Sequence, residues 1–169
     1  MKFYIVGSVG AGKSTLARRI SEILSIPVYH LDEVVHKNDT STEIDNVRRS
    51  DDEIHKIFQE IMSQNNFIIE DCLRDRFTVA LQQVDSVIFL DIPLHRLYIR
   101  ILIRWIKQKL GVEKANYHAN LQMLSKMFTW VKESPRDKLV NLQNLTVLHN
   151  QREVSNFLKD IGNRKEILE

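Results

Sequence analysis

Apolar residues fall along this chain in two rhythms. The first is a set of short, nearly unbroken runs: Lys2-Phe3-Tyr4-Ile5-Val6, Val28-Tyr29-His30-Leu31, Phe67-Ile68-Ile69, Val87-Ile88-Phe89-Leu90-Asp91 and Leu145-Thr146-Val147-Leu148-His149. Runs of that length predict buried strands. The second rhythm has a helical period and fills the gaps. It covers Thr15 to Leu24, then Ile54, Ile57, Phe58, Ile61 and Met62, then Leu94, Leu97, Tyr98, Ile101, Ile103, Trp105 and Ile106. It returns at Leu121, Leu124, Met127, Phe128 and Val131, and again at Val154, Phe157, Leu158 and Ile161. Strands alternating with helices predict an α/β fold, a five-stranded parallel sheet with helices on both faces.

Punctuation sets the boundaries. Ser25-Ile26-Pro27 stops the first helix, because proline disfavours helix in the residue before it. Polar residues without a clear period from His36 to Asn46 predict a mobile loop at the mouth of the site. Ser50 and Glu53 have capping-box spacing, Asn65-Asn66 marks a turn, and Thr78 to Val84 predicts a short helix. Pro93 opens the next helix at the favoured first position. Gly111 breaks it, and Ala115 to Lys132 reads as a second helix ending at Ser134-Pro135-Arg136. This pair exceeds what one crossover requires. The chain therefore reads as one domain over 1–169, with a helical lid inserted at roughly 94–135. The charged end, Gly162 to Glu169, is expected to fray.

Composition narrows the class without naming a function. The 169 residues suffice for one sizeable core, and 43% hydrophobic with 27% charged residues is ordinary for a globular protein. A formal net charge of +2 is too small to imply a polyanionic partner by itself. Its distribution is uneven: Arg96, Arg100 and Arg104 recur every four residues, joined by Lys107. Like charges at that spacing weaken an isolated helix, so phosphates beneath a closing lid, nucleic acid or carboxylates from elsewhere are the candidate partners. The single cysteine, Cys72, excludes an internal disulfide and suits a reducing cytosol. No signal peptide or membrane-length segment is visible, and the six histidines lack zinc-site spacing. A cytoplasmic protein without a membrane partner is expected.

The chemistry begins where the first strand ends. Gly7-Ser8-Val9-Gly10-Ala11-Gly12-Lys13-Ser14 fits G-x-x-x-x-G-K-[ST] between a strand and the helix that opens at Thr15. Glycines let the backbone curl so that successive N–H groups aim at one anion. The helix behind them directs its positive end to the same point. Lys13 adds a cation for the β- and γ-phosphates of ATP, and the Ser14 hydroxyl is placed for Mg²⁺. In a parallel sheet the strand C-termini line the ligand crevice. Asp32 follows the second strand. It can orient or deprotonate an acceptor hydroxyl, hold the metal through water, or cap a helix beginning at Glu33. Glu70-Asp71 ends the third strand, and an acid there suits Mg²⁺. Arg74 and Arg76 follow and can neutralise transferred charge, or pair with Asp71 or Asp75. Arg136 is a second lid-type cation, and Asn150 to Arg152 can border a base.

The segments "GSVGAGKSTLARRI", "PVYHLDEV", "FIIEDCLRDR", "VIFLDIPLHRLYIRILIR" and "TVLHNQREVSNFL" together resemble the P-loop nucleoside and nucleotide kinase superfamily. They resemble most the adenylate-kinase-related proteins called DNA topology modulation proteins. The blocks fall in that family's order and span nearly the whole chain. The resemblance implies a three-layer P-loop NTPase fold with ATP and Mg²⁺ in the glycine loop. It also implies that Asp32 and Arg74 face the phosphate acceptor, and that Arg100 and Arg104 belong to the lid. Where the family's third strand ends D-G-N-Y, this chain has Glu70-Asp71-Cys72-Leu73, leaving Glu70 and Asp71 both as candidates for the metal.

Two functions are consistent with these features. One is phosphotransfer from ATP to a small, nucleoside- or nucleotide-like acceptor, with Lys13, Asp32, Arg74, Arg100 and Arg104 at the reacting centre. The other is an ATP-binding regulatory or nucleic-acid-binding module that uses the basic helix and has no small acceptor. The basic stripe is short and lacks interleaved aromatic residues for stacking, which favours the first.

Overall fold

A computed structural model describes residues 1–38, 46–112 and 121–168. Five strands, β1 (Lys2–Gly7), β2 (Val28–His30), β5 (Phe67–Asp71), β6 (Ser86–Leu90) and β7 (Leu145–Leu148), form one sheet in the order β2-β5-β1-β6-β7. Every pairing in it is parallel. Successive strand residues point to opposite faces, so the sheet carries two cores. Phe3, Ile5, Ile68, Ile88, Leu90 and Leu148 pack beneath α1 (Lys13–Leu24), α4 (Leu94–Lys109), α5 (Leu121–Trp130) and α6 (Gln151–Leu168). Tyr4, Val6, Phe67, Ile69, Val87 and Phe89 pack beneath α2 (Leu31–Val35), α3 (Asp51–Met62) and a 3-10 stretch over Asp75–Gln82. The parallel sheet covered on both faces is therefore present as expected.

Several local expectations need correction. Strand β2 stops at His30, and α2 begins at Leu31 with His30 at its N-cap, so Asp32 lies in the first helical turn and caps nothing. The polar segment from His36 is not simply a loop: β3 (His36–Asn38) pairs antiparallel with β4 (Asn46–Arg48), while 39–45 lie outside the described residues. The short helix expected at Thr78 to Val84 is the 3-10 stretch, three residues earlier. Pro93 occupies the N-cap of α4 rather than its first turn. Of the helix expected over Ala115 to Lys132, residues 115–120 lie outside the described set, and Leu121–Trp130 is helical. The Ser50–Glu53 capping box forms as spaced.

Helix α4 departs most from its pattern. Only Leu97 and Ile101 are buried, while Leu94, Ile99, Leu102, Ile103 and Ile106 are exposed. Tyr98 meets Phe128 of α5 edge-on, with ring centroids 5.2 Å apart. The two helices lie within a strongly cationic stretch: from Leu94 to Lys132 there are eight Lys and Arg and one acid, Glu113.

Candidate phosphate-binding site

The C-terminal ends of β1, β2, β5, β6 and β7 open on one edge, and the sequence-predicted residues gather there. Between β1 and α1 the loop turns through two left-handed glycines, Gly10 at φ 77° and Gly12 at φ 101°. Gly10 is also hemmed in: a Cβ there would lie 3.1 Å from Ile101 Cγ1. Ala11 N–H donates to Ser8 O at 3.2 Å, closing the turn. Lys13 Nζ donates to Ser8 O at 3.1 Å, which keeps the ammonium folded over the loop. Ser14 and Thr15 are exposed at the start of α1. Arg100 reaches the loop from α4, donating to Ala11 O at 3.0 Å and Gly10 O at 3.5 Å. It braces the carbonyl side of the loop. Arg104 lies one turn further along, exposed.

The two acids of β5 separate by strand parity. Glu70 shares a face with Ile68, beneath α1, and accepts from Ser14 Oγ at 2.7 Å through Oε1. The same Oε1 lies 2.7 Å from His30 Nδ1, and His30 is directly opposite Glu70 in the β2–β5 register. Burial pushes the Glu70 carboxyl up. The His30 hydrogen bond, with Lys13 and Ser14 behind it, outweighs burial and holds the group below its ordinary value. The Glu70 bond in turn raises His30 above its ordinary value, against a smaller opposing effect of burial. Glu70 Oε2 is buried with no hydrogen-bond partner among the described residues.

Asp71 points the other way. Its side chain is 2% exposed and accepts from Arg74 N–H at 2.7 Å and from Arg74 Nη1 at 2.5 Å. Arg74 also donates to Asp32 at 2.5 Å, so one guanidinium links the buried acid of β5 to the exposed acid of α2. The turn between them is tight enough to hold Leu73 at φ 70°. Arg76 is turned away onto Asp51 at 2.7 Å. Arg136 forms a two-oxygen pair with Asp91 at the end of β6, where His149 Nδ1 lies 3.4 Å from the same carboxylate. Asn150 caps α6: it accepts from Glu153 N–H at 3.0 Å, while the Glu153 carboxylate accepts from His149 N–H at 2.7 Å. Sequence reasoning placed neither His30 nor Asp91 at the site. His30 was hidden inside an apolar run, and its only signal was its place two residues before Asp32.

These residues fit a phosphate-bound Mg²⁺. The cation takes oxygen ligands, keeps several waters and needs only one or two protein oxygens beside a nucleotide. The Ser14 hydroxyl and the unpartnered Glu70 Oε2 supply two hard donors on the α1 side of the loop. Among the described residues no group of three or more His, Cys, Asp or Glu could hold a metal without a ligand's help.

Comparison with known proteins agrees with this architecture. No curated protein matches the chain. Among solved structures it is similar to a shikimate kinase from Bacteroides thetaiotaomicron, at 16% identity and a TM-score of 0.59 over 98% of both chains. It is also similar to a deoxyadenosine kinase from M. mycoides with bound dATP, at 16% identity and TM-score 0.54 over 98% of this chain and 100% of that one. A gluconokinase from Sinorhizobium meliloti 1021 gives 14% identity and TM-score 0.54 over 99% and 96%. Likeness at that identity establishes the fold, the three-layer α/β fold of small P-loop kinases. A family profile described as AAA domain matches residues 4–117, the stretch that carries the glycine loop, both acids of β5 and the basic helix, and the chain belongs to that family.

Proposed function

We propose that this chain is an ATP-dependent phosphotransferase that moves the γ-phosphoryl group to a small, nucleoside- or nucleotide-like acceptor in the cytoplasm. The observation that carries the reading is the bond from Ser14, at the end of the glycine loop, to Glu70, whose Oε2 is left without a partner among the described residues, beside an Arg74 that links Asp71 at the end of β5 to Asp32 of α2. The three kinase structures share the fold and support this reaction class. The likeness to DNA topology modulation proteins is part of the same reading.

The residues divide the work by position. The amides of Gly10 to Thr15 and the Lys13 ammonium bind the β- and γ-phosphates. Ser14 and Glu70 would hold Mg²⁺, which when bound neutralises phosphate charge. Asp32 accepts the proton of the acceptor hydroxyl, and Arg74 fixes its carboxylate while presenting a cation to the transferred group. The linked helices α4 and α5 act as the lid, with Arg100 and Arg104 excluding water that would divert the phosphoryl group. The exposed apolar residues of α4 are isoleucine and leucine, which supports a lid over a nucleic-acid platform.

The test is incubation with ATP, Mg²⁺ and a panel of nucleosides, nucleotides and sugars, with ADP release and phosphorylated product followed by mass spectrometry. One panel member should raise ADP release well above its hydrolytic background. Lys13→Ala should abolish turnover without changing the far-ultraviolet circular dichroism. Full activity of that mutant toward a verified acceptor would overturn the assignment.

A further inference from the structure

We infer that His30 is a positioning residue for the metal carboxylate, fixing the rotational setting of Glu70 so that one oxygen is held and the other is left for Mg²⁺. The inference rests on the phosphotransfer reading and adds to it a residue outside the glycine loop, the acids and the arginines. Oxygen Oε1 of Glu70 receives two donors at once, Ser14 Oγ–H at 2.7 Å and His30 Nδ1–H at 2.7 Å. Oxygen Oε2 receives none among the described residues and is buried. A buried carboxylate oxygen without a partner costs free energy comparable to a lost hydrogen bond. The setting persists because tilting the carboxylate away from it would forfeit both bonds to the held oxygen. Serine alone cannot fix the setting, since its hydroxyl turns freely and can follow either oxygen. The imidazole cannot. Its Nδ1 is fixed in a rigid ring that meets Oε1 at 2.7 Å, on a β2 residue opposite Glu70 in the sheet register.

Neighbouring geometry gives the bond its purpose. His30 ends β2, and Asp32 sits two residues later in the first turn of α2. One short segment therefore carries both the holder of the metal carboxylate and the candidate base for the acceptor. On Glu70's other side the register partner is Ile5 of β1, an apolar side chain with no hydrogen bond to offer Oε1. Groups that orient a metal ligand typically change metal affinity by about 10–100-fold when removed. His30→Leu is expected to fall in that range.

The experiment uses the full chain, a non-hydrolysable ATP analogue and Mn²⁺ as the reporting metal. Free Mn²⁺ is counted by electron paramagnetic resonance, and metal-free nucleotide binding is measured by calorimetry. For His30→Leu, Mn²⁺ affinity in the ternary complex should fall at least tenfold, while metal-free nucleotide affinity stays within twofold of the parent. His30→Asn places an amide N–H near the position of imidazole Nδ1–H and should recover affinity to within threefold. Should the leucine variant not fold, His30→Gln replaces it, because its amide reaches the Nε2 position instead. The inference is overturned if Mn²⁺ affinity in the leucine or glutamine variant stays within twofold of the parent. It is also overturned if leucine and asparagine lose metal and metal-free nucleotide binding equally, as a purely structural role would produce. A parent protein that binds nucleotide with no dependence on metal overturns the phosphotransfer reading and this inference together, and the parent measurement alone reveals it.

Discussion

Replacing Asp71 with asparagine should cost stability and spare the metal. Asp71 is nearly fully buried and holds Arg74 by one backbone and one guanidinium hydrogen bond. Asparagine keeps the shape and one acceptor oxygen for the Arg74 N–H, but removes the charge that offsets a half-buried guanidinium. Breaking a buried ion pair by removing one partner costs about 3–5 kcal/mol. Arg74 is 29% exposed and retains Asp32, so solvent and the second acid recover part of that. A loss of about 2 kcal/mol remains, or a fall in Tm of roughly 4–8 °C for a chain of this size. Differential scanning fluorimetry of Asp71→Asn, with and without nucleotide, measures it. Metal dependence of nucleotide binding should match the parent, because Glu70 and not Asp71 faces Ser14. A variant with the parental Tm and no metal response would refute the reasoning and return the metal to Asp71.

Other outcomes follow from single features. Gly10→Val should abolish nucleotide binding in calorimetry, since φ 77° is unfavourable for a β-branched residue and its Cβ would press on Ile101 Cγ1 at 3.1 Å. Tyr4→Phe should raise Tm, by about 1 kcal/mol of stability, because Tyr4 Oη is buried without a partner among the described residues; a lower Tm would show that the hydroxyl is satisfied. The His30–Glu70 bond should also make stability depend on pH in the metal-free protein. The raised His30 contributes fully below its ordinary 6.5 and loses that contribution as pH climbs through its higher folded value. The lowered Glu70 contributes above its ordinary 4.5 and loses that as pH falls through its depressed value. The Tm gap between parent and His30→Leu should therefore be widest between pH 4.5 and 6.5 and narrow on either side; a gap constant with pH would contradict the pairing.

What the sequence disclosed depended on the length of the repeating signal. Five apolar runs and the glycine loop are local patterns, and the sheet and loop follow them closely. That Glu70 and Asp71 point to opposite faces was also within reach, because strand parity puts Glu70 on the face of Ile68 beneath α1. Arg74 and Asp32 meet across forty-two positions, and no local spacing announces that pair. His30 was masked by its apolar neighbours, since a polar residue inside a strand run carries no signal until its cross-strand partner is known. Asn150, expected beside a base, turns out to carry a local task that its position did not announce, the capping of α6. The helical span of α4 was legible but its buried face was not: of the expected stripe only Leu97 and Ile101 are buried, since period alone cannot say which side of a doubly apolar helix meets the core. Ile101 against Gly10 settles that.

The cationic stretch from Leu94 to Lys132 leaves sixteen Lys and Arg against twenty-one Asp and Glu for the remainder of the chain. The molecule is thus electrically polarised, and Arg100 sets its positive pole against the glycine loop. An incoming triphosphate should be drawn toward that pole and turned away from the acidic body before any contact is made. Added salt shortens the reach of this guidance to about 10 Å at 0.1 M ionic strength. Capture rates should consequently drop with salt while release rates stay nearly constant.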